Sequence, residues 1–175
     1  MRDWVIPTLR AIRPEGVSEE AYEAELAEPT FAWRRLGNLF LHQFDSDGMT
    51  ELLGSVLGDI PRSDFDKLFE IHPFFILARS AGFCQKFHAT GDVQIIVFTE
   101  TDLLPMTWEQ RRGCVGHELA HVILGHLDRP FSLDDPWRKK QEKEADDLCR
   151  EWGLSEEING VRRHLFERRI KDGNR

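Results

Sequence analysis

His117-Glu118-Leu119-Ala120-His121 places two imidazoles four residues apart, with a carboxylate beside the first. On an α-helix that spacing sets the two side chains about 40° apart around the axis and roughly one turn apart along it. Both rings can then reach one metal ion. Glu118 can lie over the same ion and take a proton from a water there, provided that one coordination position stays open. The flanking residues are those of a half-buried helix. Val115, Leu119, Val122, Ile123 and Leu124 form an apolar stripe, and Gly125 follows it as a helix stop. Burying two histidines and a glutamate is costly unless something pairs with them, and a metal ion is such a partner.

A third ligand can be sought downstream. Gln141-Glu142-Lys143-Glu144-Ala145-Asp146-Asp147-Leu148-Cys149 reads as the opening of a second helix. Glu142 and Asp146 are four apart and share a face. Glu142 could complete a His-His-Glu site, while Asp146 could accept the second ring N–H of a ligand histidine and so fix its tautomer. The competing reading of Lys139 to Asp147 is a solvated helix face with i,i+4 charge pairs. Glu144 is an alternative third ligand, but it lies on a different face. His126, five residues past His121, would point away from His117 on a continuing helix and is expected at the surface or at the helix end. His42, His72, His88 and His164 are scattered without ligand spacing.

The wider text extends the pattern. Val93-Gln94-Ile95-Ile96-Val97-Phe98 is followed by Leu103-Leu104-Pro105 and Glu109-Gln110-Arg111-Arg112. Then come His117 to His126 and Glu142-Lys143-Glu144-Ala145-Asp146. Over roughly residues 80–150 this resembles the gluzincin branch of the zincin metallopeptidases, and is most similar to the ImmA/IrrE-type family. The resemblance implies one zinc ion held by His117, His121 and Glu142, with Glu118 as catalytic base and Asp146 behind a ligand histidine. It also implies a zinc metalloendopeptidase that cuts a specific intracellular protein, such as a DNA-binding transcriptional repressor. The chain departs from that family at Ala120, where glycine is frequent, and at Leu148-Cys149, where Phe-Ala is usual. A second functional class is a non-proteolytic metal-binding interaction or sensor protein on the same scaffold. An intact Glu118 argues for the first, because a purely structural zinc site needs no base there.

Composition narrows the setting. A length of 175 residues suits one domain, divided here into an N-terminal helical region (1–79) and a metallopeptidase-like core with a C-terminal helix (80–175). No apolar run reaches membrane-spanning length, and residues 1–10 lack the apolar stretch of a secretory signal. Cys84, Cys114 and Cys149 show no CxxC spacing, so free thiols and a cytoplasmic location are expected. The formal net charge of −8 argues against direct nucleic-acid binding. The charge is uneven: residues 1–28 carry seven acids and three bases, residues 162–175 six bases and two acids. The basic run from Arg162 reads as a solvated helix end whose cations oppose the helix dipole.

The expected fold class is α+β, mainly helical, with a small antiparallel sheet beside the HExxH helix. Helices are predicted over 18–27, 30–44, 49–57 and 63–77, the last with Pro73 as an interruption. Residues 82–88 and 93–98 suggest a hairpin around the turn at 89–92. Asp45-Ser46-Asp47-Gly48 is a turn and lacks the rest of a calcium loop. Three more helices are predicted over 108–124, 138–152 and 155–170. For the second donor that a tetrahedral oxyanion needs, Tyr22, His88 and His164 are the candidates.

Overall fold

The computed structural model describes residues 1–39, 47–71, 73–78, 85–87, 93–126 and 136–173. Five helices open the chain: α1 (Val5–Ala11), α2 (Glu19–Leu26), α3 (Pro29–Gly37), α4 (Asp47–Leu57) and α5 (Arg62–Ile71). Strands β1 (Phe74–Ala78), β2 (Gln85–Phe87) and β3 (Val93–Thr99) follow. The chain continues with α6 (Glu100–Leu103), α7 (Trp108–Ile123), α8 (Pro136–Glu151) and α9 (Ser155–Gly173). It is therefore mostly helical. Among the described residues no helix is long and apolar enough to cross a membrane.

Local chemistry sets the helix boundaries. Ser18 caps α2 by accepting from the Ala21 amide at 3.2 Å. Pro29, which falls between the predicted helices at 18–27 and 30–44, opens α3 at its first turn, where a missing N–H costs nothing. Thr107 and Gln110 form a reciprocal capping box at the start of α7. Arg111 donates from that first turn to the carbonyls of Leu103, Met106 and Leu104, which fixes the approach to the helix. Helix α1 lies outside the predicted helices, although Val5 and Leu9 bury one face of it completely.

The region from 63 to 77 is not one helix. Helix α5 ends at Ile71, and residues 74–78 form β1 beyond Pro73. Proline disfavours the helical conformation in the residue before it, and a short continuous apolar run fits a strand as well as a helix. The sheet is consequently not purely antiparallel. Strands β2 and β3 pair antiparallel, with Lys86 opposite Gln94. Strand β1 lies parallel to β3 on its other side, with Ile76 opposite Val97, which gives the order β1-β3-β2. The central strand alternates as the period of two requires, turning Gln94, Ile96 and Phe98 into the buried layer. The predicted turn at 89–92 and the first half of the turn predicted over 45–48 lie outside the described residues, and Asp47 and Gly48 are not a turn but the opening of α4.

One hydrophobic core runs from Val5 in α1 to Ile158 in α9, so the N-terminal helices and the motif-bearing helices share it. Polar ties cross the same boundary. Arg112 of α7 meets Asp59 at 2.6 Å, and the Trp152 indole donates to Asp64 at 2.9 Å. Close backbone approach depends on Gly113: a Cβ there would meet the Glu157 carbonyl oxygen of α9 at 2.6 Å. That clash is with backbone, so α7 and α9 would have to separate. Gly113→Ala should lower unfolding free energy by about 1–3 kcal/mol, the usual cost of overpacking. Equilibrium denaturation measures it, and an unchanged midpoint would show that the two helices separate freely.

Candidate metal centre

Helix α7 carries His117 and His121 on the face turned toward α8, which presents Glu142 and Asp146. The helical spacing does what geometry requires. His117 Nε2 lies 3.0 Å from His121 Nε2, and Glu142 approaches the two at 3.3 and 3.8 Å. Ligands held 2.0–2.2 Å from a tetrahedral ion stand about 3.3–3.6 Å apart. The three separations bracket that value, and this is the group among the described residues whose donor atoms converge as a metal set. Glu142 is thus turned toward both histidines rather than into solvent.

Asp146 lies behind His117. Its Oδ1 is 2.9 Å from Nδ1 of that ring, close enough to favour the ring's charged form, although Nδ1 lacks a well-aligned hydrogen bond. The aligned bonds to Asp146 come from Arg162 of α9. Its Nε donates to Oδ2 at 2.9 Å and its Nη2 to Oδ1 at 2.6 Å, and the same Nη2 donates to Glu142 Oε2 at 3.2 Å. One guanidinium therefore ties together both carboxylates of α8. Sequence reading assigned Arg162 to a solvated basic tail. No local pattern links it to Glu142, twenty residues earlier; the link exists because α9 folds back along α8.

The charge balance is correspondingly strong. Burial opposes the charged form of His117, but Asp146, Glu142 and Glu118 outweigh it and hold its pKa at about 9. Burial and the neighbouring His117 charge push His121 down to about 3. The bond to His117 holds Glu142 at about 2. Asp146 sits well below the usual carboxylate range: burial opposes that shift, but contacts to His117 and Arg162 prevail. Cys114 and Cys149 are free thiols. Burial pushes Cys114 up to about 12 and raises Cys149 further, so both are protonated packing residues.

The other candidates separate from the group. The Tyr22 hydroxyl is buried and donates to the Leu9 carbonyl at 3.2 Å, which commits it to the N-terminal core. His164 lies on α9 with a buried Nε2 that lacks a hydrogen-bond partner, and it does not join the ligand set. His42, His72, His88 and Cys84 lie outside the described residues. Glu144 faces His126 and Lys140, not the ligand pair. His126 is not the outward-pointing residue expected, because α7 stops at Ile123 and Gly125 takes φ 67°. The ring turns back so that its Nδ1 lies 2.9 Å from His121 Nδ1. Comparison of the chain with family models, curated proteins and solved structures finds no match.

Two tests follow from this electrostatic arrangement. A metal ion at His117 Nε2 must displace the proton held there. Since the pKa is about 9, apparent affinity should rise about tenfold per pH unit below that value. Calorimetry near pH 6 in buffers of different ionisation enthalpy should count one proton released per ion, and no release would contradict the assignment. The second test concerns Arg162. Asp146 has a folded pKa below its unfolded one, so its stabilisation is present above the unfolded value and is lost as pH falls through the folded one. Arg162→Met raises the folded value, so acid unfolding should begin at a higher pH than in the wild type. Coincident acid-unfolding curves would show that the guanidinium contributes nothing.

Proposed function

We propose that the chain is a zinc-dependent metallopeptidase of the gluzincin type, with His117, His121 and Glu142 as metal ligands and Glu118 as base. The observation that carries the reading is the convergence of two ring nitrogens and one carboxylate: the Nε2 atoms of His117 and His121 lie 3.0 Å apart, Glu142 Oε2 is 3.3 Å from the first and Oε1 3.8 Å from the second. Two nitrogens and a carboxylate on one side leave room for a fourth position, as a catalytic rather than a structural zinc site requires. Zinc there would supply an acidified water and a Lewis acid for a scissile carbonyl.

The chain's own residues account for the rest. Glu118 follows His117 directly on α7, and its negative charge already supports the His117 cation. A carboxylate in that place can accept a proton and return it to a leaving amine. Arg162 and Asp146 hold Glu142 and the His117 ring, which limits the movement of the ligand set. Among the described residues β1 and β2 are the edge strands, since β3 is central. Strand addition at such an edge is a common way to hold an extended peptide.

The substrate class proposed is a specific intracellular protein, with a DNA-binding repressor as the leading kind, in a cytoplasmic setting. Helix α2 exposes Glu19, Glu20 and Glu25 and offers an acidic surface to a basic partner. The experiment is co-expression with candidate repressors, comparing wild type with Glu118→Gln. Cleavage by the wild type should fall at least about 100-fold in the variant, the scale typical of losing a general base, with zinc content unchanged. Zinc bound without cleavage of any partner would favour a non-proteolytic sensor or interaction protein. Cleavage that persists in the variant would remove Glu118 from the base role.

A further inference from the structure

We propose that His126 is the positioning residue for His121, and that with Glu144 it forms a relay that fixes which nitrogen of His121 faces the metal. The inference rests on the metal-centre reading above and extends it to a residue outside the HExxH and Glu-x-x-x-Asp positions. It begins with an inequality between the two ligand histidines. His117 has a carboxylate, Asp146, at its second nitrogen. His121 has none there. Its Nδ1 instead meets His126 Nδ1 at 2.9 Å, an aligned contact between two ring nitrogens.

Two nitrogens at that distance share one proton, so one ring must donate and the other accept. The donor set decides which. His121 Nε2 faces His117 and Glu142 and must offer its lone pair to an ion. The His121 proton then sits on Nδ1 and is donated to His126 Nδ1. His126 is left with its proton on Nε2, which lies 3.3 Å from Glu144 Oε2, a carboxylate that can only accept. Both rings are neutral, every proton has an acceptor, and no other assignment satisfies both contacts. Side-chain exposure rises along the chain of groups from 10% at His121 and His126 to 42% at Glu144, so the relay leads from the buried ligand to the surface of α8.

The backbone is built to make this contact. An uninterrupted helix would carry His126 about 140° around the axis from His121. Gly125, in the left-handed region at φ 67°, ends the helix and brings the imidazole back over the preceding turn. The Gln141 amide of α8 approaches the His126 carbonyl at 3.5 Å, which anchors the same residue from the other helix.

The test compares His126→Phe, which keeps a ring but no acceptor, with His126→Asn, whose side-chain oxygen can stand where Nδ1 stands. Zinc affinity is read by competition with a chromophoric chelator, and ring ¹⁵N shifts report the tautomers in the zinc-loaded protein. The phenylalanine variant should bind zinc about 10–100-fold more weakly, the usual cost of losing a partner behind a ligand. The asparagine variant should recover most of that loss. Wild-type spectra should show a proton on His121 Nδ1 and on His126 Nε2. Glu144→Ala, at an exposed site that leaves the core intact, should weaken binding to a smaller degree and broaden the His126 signals. Equal losses in the phenylalanine and asparagine variants, or a proton on His126 Nδ1, would overturn the relay while leaving the metal centre in place. A wild-type chain that binds no zinc would remove the centre and the relay together.

Discussion

Charge that cannot reach water freely is the constraint around which the second half of this chain is arranged. Asp146 and His121 are each only 8% exposed, and both lie within the contact between α7 and α8. An ionised carboxylate there is tolerable only if opposite charge and hydrogen-bond donors surround it. His117 approaches from one side and Arg162 from the other, so that Asp146 is enclosed by two cations. The docking of α9 follows from this requirement as much as from its apolar residues. Gly113 permits the close approach, and Val161, one residue before the guanidinium, packs against the same glycine.

The N-terminal helices serve as the wall on which α7 rests. Val56 of α4 and Leu154, just before α9, both pack against Gly116, one residue before the first ligand histidine. Arg112 is only 11% exposed and is held by Asp59 and Glu157, one contributed by each half of the chain. A ligand set works when its supporting residues cannot move, and rigid secondary elements hold side chains more closely than loops do. Every candidate ligand here sits on a helix, and each of those helices is packed on at least one side by an apolar layer.

How much of this can be read from the chain depends on the range of the interaction. The His117–His121 pair is a property of one helical turn, and Glu142 with Asp146 is a second such property, so both are visible as spacing. The hairpin of β2 and β3 is local too. Strand β1 is not: its parallel partner is about twenty residues away, and its run of apolar residues has no period of its own. Arg162 depends on the return of α9, and a basic residue in a basic stretch carries no mark of the carboxylates it will meet. His126 was legible in principle. Gly125 marks a stop by its residue type, and a stop in the left-handed region redirects the side chain that follows it.

The position of Arg162 also bears on when the site can form. All three candidate ligands, and Glu118 with them, precede α9 in the chain. A chain emerging from the ribosome therefore presents the histidines and the α8 carboxylates before the guanidinium that neutralises those carboxylates has been made. Until α9 docks, Asp146 and Glu142 have His117 as their shared cation and lack the guanidinium that bridges them. The bridge between the two carboxylates is therefore completed late in synthesis, together with the closing of the core.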